Sequence, residues 1–150
     1  MALDFKHKLM GIGVVVRDHH REIIAALKRR ETGSPESIQA EFVGALMAAE
    51  FSRDLGLQDL ILEGDSISIV NVLRSSVPNW SPFGQIIEDA CGILFSRRSW
   101  DVMHVKREAN MVAHFLAKNA ILTSQEEVWM EGCPPCIFSI IDLELNALVV

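Results

Sequence analysis

The sequence has little cysteine, no excess of basic charge and no long uninterrupted hydrophobic segment. Its cysteines are Cys91, Cys133 and Cys136. An odd and sparse set indicates reduced thiols in an intracellular protein, of the nucleus or cytoplasm, rather than a disulfide framework. Cys133-Pro-Pro-Cys136 has half of the spacing of a zinc site, but the sequence contains no second pair. Because a closed zinc site needs four ligands, we interpret both thiols as loop residues.

The absence of long apolar runs excludes a membrane-spanning segment. The charged residues near the start are not followed by an uninterrupted apolar region, so we expect no signal peptide and no membrane partner. A formal net charge of −6 argues against strong non-specific binding of nucleic acid, which favours basic surfaces. The sequence has three small basic clusters: Lys28-Arg29-Arg30, Arg97-Arg98 and Lys106-Arg107. Taken one at a time, each is interpreted as the solvent-exposed end of a helix or strand.

The sequence does contain enough apolar material for one domain, with 150 residues, 49% hydrophobic and 23% charged. Its most informative stretch is Leu60-Ile61-Leu62-Glu63-Gly64-Asp65-Ser66. Three large aliphatic residues run without a break, and a helical pattern opens directly after the serine. This arrangement predicts a buried, parallel strand followed by a helix. Asp65 then lies at the strand end, where α/β sheets bind ligands, although Asp65 or Ser66 is equally well explained as a helix N-cap.

The remaining segments predict an α/β domain in which an antiparallel hairpin precedes a parallel part. Strands are expected at 11–16, 22–27, 57–63 and 100–105. Helices are expected from 34 to 55, from 66 to 73, from Ser81-Pro82 onward and from Arg107 onward, with Gly56 ending the first. His19 and His20 lie at the hairpin tip, where adjacent side chains should point apart and into solvent. The apolar stretch 137–150 has no clear assignment.

Two further positions carry polar groups near apolar helix faces. Glu41 lies beside the buried face of the first helix, where it is either a site carboxylate or a favourable charge near the positive helix end. Asn110 and His114 are four residues apart and therefore share a helix face. His104, on a strand, is expected to be structural.

Four segments are specific in combination: Gly11–Asp18, Ala40-Glu41, Leu62–Ser66 and His104–Lys118. In this combination the chain resembles the plant branch of the ribonuclease H-like domains, which occur in retroelement reverse transcriptases and as stand-alone genes. The segment from Val128 to Asp142 resembles the C-terminal extension of that family. The resemblance implies a ribonuclease H-like domain at 1–122, followed by this extension at 123–150.

The resemblance implies a mixed sheet flanked by helices and cleavage of the RNA strand of RNA–DNA hybrids. In the family, carboxylates hold two Mg²⁺ ions that activate water and steady the leaving oxygen. Carried over to this chain, Glu41 and Asp65 are the implied metal-binding and catalytic carboxylates. Ser66 and Asn110, inside the matching motifs, are the implied contacts to the nucleic acid. The implied partner is an RNA–DNA hybrid or another nucleic acid.

The chain departs from the family pattern at two of four carboxylate positions. The first Asp has no match, because the chain starts after it and Asp4 falls in the following linker. We therefore expect the first central strand to be missing, with either a four-stranded sheet whose gap closes or a displaced hairpin. The fourth Asp is replaced by His114, an implied catalytic position. Imidazole suits Mn²⁺ better than Mg²⁺, or can shuttle a proton.

These departures predict a weak or inactive nuclease domain. One alternative is a non-catalytic module that binds nucleic acid. Another is a protein-interaction remnant of a retroelement, which exposed apolar surface in 137–150 would favour. The sequence leaves the oligomeric state open.

Overall fold

A computed structural model describes residues 2–4, 8–32, 37–75, 82–123 and 126–131. Its strands are β1 (Ala2–Asp4), β2 (Leu9–Arg17), β3 (Ile23–Thr32), β4 (Asp59–Gly64), β5 (Ser99–His104) and β6 (Glu127–Met130). Its helices are α1 (Ser37–Asp54), α2 (Ile67–Arg74), α3 (Gly84–Phe95) and α4 (Met111–Leu122), and a 3₁₀ turn at Arg107–Ala109 precedes α4. None of these helices is long and apolar enough to cross a membrane.

The chain divides into two compact units. The first unit comprises Met1–Ser37 and Arg107–Val150, and the second comprises Ile38–Lys106. The predicted helix start at Ser34-Pro35, the residue Ser81, the two cysteines near the end and the apolar stretch 137–150 lie outside the described residues. The boundary between 122 and 123 stays a prediction.

The first unit contains an antiparallel sheet with the strand order β1-β2-β3-β6. The predicted hairpin is confirmed as β2 and β3, in the register Val14↔Leu27 and Gly11↔Arg30. We expected no strand before this hairpin, yet β1 pairs with the start of β2 in the register Ala2↔Gly11. A four-stranded sheet does form, but its fourth strand is β6 and not one of the parallel strands β4 and β5. The outer edges of β2 and β3 gain backbone hydrogen bonds from β1 and β6, which is how unpaired edges are relieved.

The hairpin tip is a turn that the Asp18 side chain organises. Its Oδ1 accepts hydrogen bonds from the backbone N–H groups of Glu22, at 3.0 Å, and His20, at 2.8 Å. Both bonds lower the pKa of Asp18, and the bond from Glu22 has the larger effect. The rings of His19 and His20 are exposed as expected, but their centroids are 3.9 Å apart. The expectation that they point apart is wrong because the turn is not an extended chain.

Helix α4 packs directly on β2 because two glycines leave space for its backbone. A Cβ atom at Gly11 would overlap the carbonyl oxygen of Ala117, and one at Gly13 would overlap that of Ala113. The Gly13 position is further confined by Leu116 Cβ and the Ala117 nitrogen, both at 2.8 Å. The helix itself starts at Met111, later than predicted, because residues 107–109 form the 3₁₀ turn. The Gly-x-Gly segment therefore serves helix–strand packing.

The second unit builds its core from three helices and the parallel pair β4–β5. The prediction of a parallel strand at 57–63 is confirmed, because β4 pairs in parallel with β5 in the register Asp59↔Ser99 to Gly64↔His104. Leu60 and Leu62 pack against the core cluster, but Ile61 is 59% exposed. Burial of the whole strand was therefore predicted wrongly. Successive strand residues point to opposite faces, and one face of β4 packs on the helices. The core cluster includes Phe42, Ala49, Leu73, Ile87, Leu94 and Val102.

The C-terminal end of α1 follows the prediction closely. Gly56 has a φ of 75°, a left-handed conformation that glycine adopts without strain. Its N–H bonds to the Arg53 carbonyl at 2.9 Å, and the Leu57 N–H bonds to that of Ser52 at 3.1 Å. This pair of bonds is the Schellman motif, which satisfies the last helical carbonyls and turns the chain toward β4.

The close approach of α4 to β2 makes the two glycines sensitive to a single methyl group. We expect Gly13→Ala to lower the free energy of unfolding by about 1–3 kcal/mol, since the helix must move away from the strand. Gly92→Ala, on α3, is the matched control because nothing lies within 4 Å of the added Cβ. Chemical denaturation with urea measures both variants. Equal stability of the two variants would contradict the packing role.

A second prediction concerns Asp59, at the start of β4. The guanidinium of Arg98 bonds to both carboxylate oxygens, through Nε to Oδ1 at 3.0 Å and through NH2 to Oδ2. This pairing holds the pKa of Asp59 below its ordinary value. A carboxyl whose folded pKa is depressed adds stability above its unfolded pKa, and this contribution is lost as the pH falls through the folded value.

We therefore expect Arg98→Gln to raise the pKa of Asp59 toward its ordinary value, as followed by NMR titration of the carboxyl group. Arg74→Gln, which removes an exposed arginine paired with Asp101 at 3.3 Å, serves as the control. An Asp59 titration that Arg98→Gln leaves unchanged would exclude this ion pair as the cause.

Candidate functional site

Asp65 lies at the carboxyl edge of the parallel pair in the second unit. Strand β4 ends at Gly64, and α2 begins at Ile67 after the two intervening residues Asp65 and Ser66. Gly64 pairs with His104, and its carbonyl accepts a 2.9 Å hydrogen bond from the Val105 N–H. The ends of the two strands are therefore side by side, and the segments that follow them leave the sheet at the same edge. This is the edge at which open α/β sheets bind ligands.

Helix capping does not account for this stretch. Ser66 occupies the N-cap position with φ −100° and ψ 107°, but its side chain makes no capping hydrogen bond. Its carbonyl accepts the Val70 N–H at 3.2 Å, so the helix begins through backbone bonds. Asp65 precedes the N-cap, one position too early to cap. Ser66 therefore holds the N-cap position, and Asp65 lies directly before it at the strand end.

Glu41 lies in the second turn of α1, in the same unit as Asp65. Its side chain is half-buried, between the buried residues Ala40 and Phe42. The predicted position at the margin of the buried helix face is thus confirmed. The first turn of α1 carries no acidic residue, and Glu41 follows it. A half-buried carboxylate beyond the first turn gains little from the helix dipole, because that effect falls off within the turn.

His114 and Asn110 lie together at the start of α4, in the first unit. Asn110 is the N-cap residue and makes no capping hydrogen bond with its side chain. The His114 N–H donates to the Asn110 carbonyl at 3.1 Å, so the two residues are one helical turn apart, as the spacing predicted. Both side chains are half-buried. His104, by contrast, is exposed at the end of β5, and burial does not explain it.

The candidate residues divide between the two units. Glu41, Asp65 and Ser66 belong to 38–106, while Asn110 and His114 belong to the other unit. Within the described ranges, no group of three or more histidine, cysteine, aspartate and glutamate side chains could hold a metal ion. Two carboxylates in one unit provide the oxygen ligands that Mg²⁺ prefers. They are fewer than a two-metal site uses, so this donor set is incomplete for such a site.

Three residues that bear on the site were not recognised from the sequence. Gly11 and Gly13 set the position of the helix that carries His114. Lys28 fixes the far end of the same helix, because its ammonium group bonds to Asn119 Oδ1. A signal for the glycines was available, since two small residues alternate on β2 while Ala113 and Ala117 recur four apart on α4. No local signal pointed to Lys28, whose partner is 91 residues away.

Comparison with known proteins identifies the family. A family model described as reverse transcriptase-like matches residues 2–120. No curated protein matches the chain. RNase H1 from the halophilic archaeon Halobacterium salinarum NRC-1 is similar in structure, with a TM-score of 0.68 and 27% identity over 74% of this chain and 84% of that one.

A second solved structure shows the same fold. The N-terminal RNase H domain of Rv2228c from Mycobacterium tuberculosis, solved as a fusion with maltose-binding protein, has a TM-score of 0.69. It is 22% identical, and the match covers 76% of this chain and 83% of that one. The expected mixed α/β, ribonuclease H-like fold is thereby confirmed. The match over residues 2–120, together with the motifs and the fold, shows that this chain belongs to the reverse transcriptase-like family and has a ribonuclease H-like fold.

Proposed function

We propose that this chain is a nucleic-acid-binding domain that engages RNA–DNA hybrids and cleaves them weakly or not at all. The observation that carries the proposal is Asp65, a carboxylate within the family's motif at the ligand-binding edge of the β4–β5 pair. Asp65 directly precedes Ser66, which takes the N-cap position of α2. The match of residues 2–120 to the family supports the choice of substrate class.

In this proposal Glu41 and Asp65 hold a divalent cation, Mg²⁺ or Mn²⁺. The cation supplies activation of water and charge neutralisation at the leaving oxygen when it is bound. Ser66 and Asn110 contact the nucleic acid. His114 replaces the fourth carboxylate of the family with an imidazole, a group that serves as a proton shuttle in many proteins. An imidazole brings no negative charge where the family has a carboxylate, and this difference supports weak rather than efficient cleavage in the proposal.

A non-catalytic role is the second candidate, and the same substitution favours it. A domain with a histidine at the fourth position would bind nucleic acid without the family's carboxylate there. The plant and retroelement origin, the intracellular location and a protein-interaction role for the C-terminal extension belong to this proposal as well. The chain's net charge of −6 predicts that binding is local and weakens steeply with salt.

The first test is binding and cleavage of a labelled RNA–DNA hybrid. We expect salt-sensitive binding, and slow cleavage in Mn²⁺ that Asp65→Asn abolishes. The control is Asp89→Asn, an exposed position on α3 that loses the same charge. Cleavage that Asp65→Asn leaves unchanged would exclude Asp65 from the site. A folded protein that fails to bind the hybrid at low salt would overturn the nucleic-acid role and leave the protein-interaction alternative.

Restoring the family's carboxylate provides a gain-of-function test. We expect His114→Asp to raise cleavage in Mg²⁺ roughly tenfold or more over the unmodified chain, because ligand-shell changes alter metal sites by about 10–100-fold. His114→Asn, of nearly the same size as the aspartate variant but uncharged, should show no gain. An equal rate for both variants would mean that position 114 does not face the cation.

A further inference from the structure

The basic cluster on β3 makes contacts within the molecule. Lys28 is 4% exposed, and its ammonium group donates to Asn119 Oδ1 and lies 3.1 Å from Glu127 Oε1. Arg29 and Arg30 have polar partners in the same unit as well. The interpretation of this cluster as a solvent-exposed strand end is wrong for Lys28, because partners far along the chain cover it. The cluster therefore serves internal pairing.

The arginines of the second unit are also paired. Arg97 NH1 donates to the carbonyl of Leu57 at 3.3 Å, and the Arg98 guanidinium pairs with Asp59. The remaining two pairs are Arg53–Asp54 and Arg74–Asp101, both at 3.3 Å. Within the described ranges, Lys106 is the only lysine or arginine of this unit whose side chain makes no hydrogen bond or ion pair.

Lys106 lies at the same sheet edge as Asp65. Gly64 and His104 are register partners at the ends of β4 and β5, and the Val105 N–H extends this pairing through its bond to the Gly64 carbonyl. Paired strands are about 4.8 Å apart, so the segments that carry Asp65 and Lys106 leave the sheet side by side. The side chains of His104 and Lys106 are both exposed.

Neither backbone conformation nor packing explains the glycine at position 64. Gly56 has a positive φ, but Gly64 does not. A Cβ atom at Gly11 or Gly13 would overlap the backbone of α4, whereas one at Gly64 would meet nothing within 4 Å. A glycine in a strand often marks a place where a ligand approaches the backbone closely. Since register partners face the same side of a sheet, the open space at Gly64 lies beside His104.

We propose that a phosphate group of the nucleic-acid backbone lies over Gly64, where the Lys106 ammonium group pairs with it and the His104 imidazole donates a hydrogen bond to it. This inference rests on the proposed function and names residues that hold the substrate at the same site. Lysine binds phosphate as a compact charge on a flexible stem. The missing side chain at Gly64 lets the phosphate reach the strand end. The contact requires no divalent cation.

The charges around this position make Lys106 decisive. Asp65 is half-buried, Glu63 is exposed, and both carboxylates repel a phosphate. Glu63 faces the side of β4 opposite to Gly64, because successive strand residues point to opposite faces. Lys106 is the cation of this unit that no internal contact engages, so it offsets this repulsion. A lysine that neutralises a phosphate releases counterions, which makes the binding salt-dependent.

The salt dependence of hybrid binding tests Lys106. A labelled RNA–DNA hybrid is titrated at several salt concentrations without divalent cation, so that cleavage does not consume it. We expect Lys106→Gln to weaken binding about three- to tenfold at low salt and to reduce the slope of log affinity against log salt by about one. Arg53→Gln, which removes the same charge from an exposed position at the end of α1, should change affinity less than twofold. An equal loss in both variants would reduce the effect to net charge and overturn the proposal.

A second test fills the space over Gly64. We expect Gly64→Val to unfold at the same or a higher urea concentration than the unmodified chain, because valine favours strands and nothing obstructs its Cβ atom. The same variant should bind the hybrid about fivefold or more weakly, since its methyl groups occupy the place of the phosphate. Gly92→Ala, at another open glycine, is the control and should leave hybrid affinity unchanged. A folded Gly64→Val variant with unchanged affinity would contradict the proposal.

The contribution of His104 is measured with His104→Phe, which keeps an aromatic ring and removes the hydrogen-bond donor. We expect a loss of hybrid affinity of about two- to fivefold, the range of one exposed polar contact. Affinity equal to that of the unmodified chain would exclude His104 from the phosphate contact.

The outcomes separate this contact from the proposed function. Without divalent cation, Asp65→Asn should bind the hybrid equally or more tightly, because a carboxylate that repels the phosphate is gone. Hybrid binding that Lys106→Gln and Gly64→Val leave at the level of their controls overturns the phosphate contact alone, and the proposed function stands. A folded, unmodified chain that fails to bind the hybrid at low salt overturns both.

Discussion

The close contact of α4 with β2 is the constraint on which the first unit depends. Two glycines on alternate positions of the strand let the helix backbone approach where any Cβ atom would overlap a carbonyl oxygen. The contact fixes the axial position and rotation of α4, and with them His114 in its first turns. Interiors are packed densely enough that such a contact behaves as a fixed distance. The same helix face then meets Ala26 through Val112 and Leu116.

Electrostatic contacts, in addition to the glycines, hold α4 against the sheet. Lys28 and Arg30 fix the C-terminal half of α4, through Asn119 and the Ile121 carbonyl, while Lys28 and Arg29 pair with Glu127 and Glu126. Three consecutive cations thus join β3 to residues about a hundred positions later. A basic run that would ordinarily indicate nucleic-acid contact is used for internal pairing, which explains how an acidic chain carries it without an exposed basic patch there.

In the second unit, Asp65 is positioned by the end of a parallel strand. Pairing of β4 with β5 brings the two strand ends to one edge, and the backbone alone starts α2 after Ser66. Asp65 lies between the end of β4 and the N-cap residue Ser66. In the proposed function this carboxylate and Glu41 receive a cation, and His114 replaces the ligand that would complete the set.

The sequence by itself determined the family, the hairpin, the parallel pairing of β4 with β5, the Gly56 helix end and the position of Glu41 beside a buried face. These features are local, because periodicity, turn residues and motif spacing are written in neighbouring positions. Only the tertiary structure decided that β1 and β6 complete the first sheet, that Ile61 is exposed, that the rings of His19 and His20 lie close together and that Lys28 is buried. Each of these depends on partners distant in the chain or on the shape of a turn, and single-residue patterns carry no information about either.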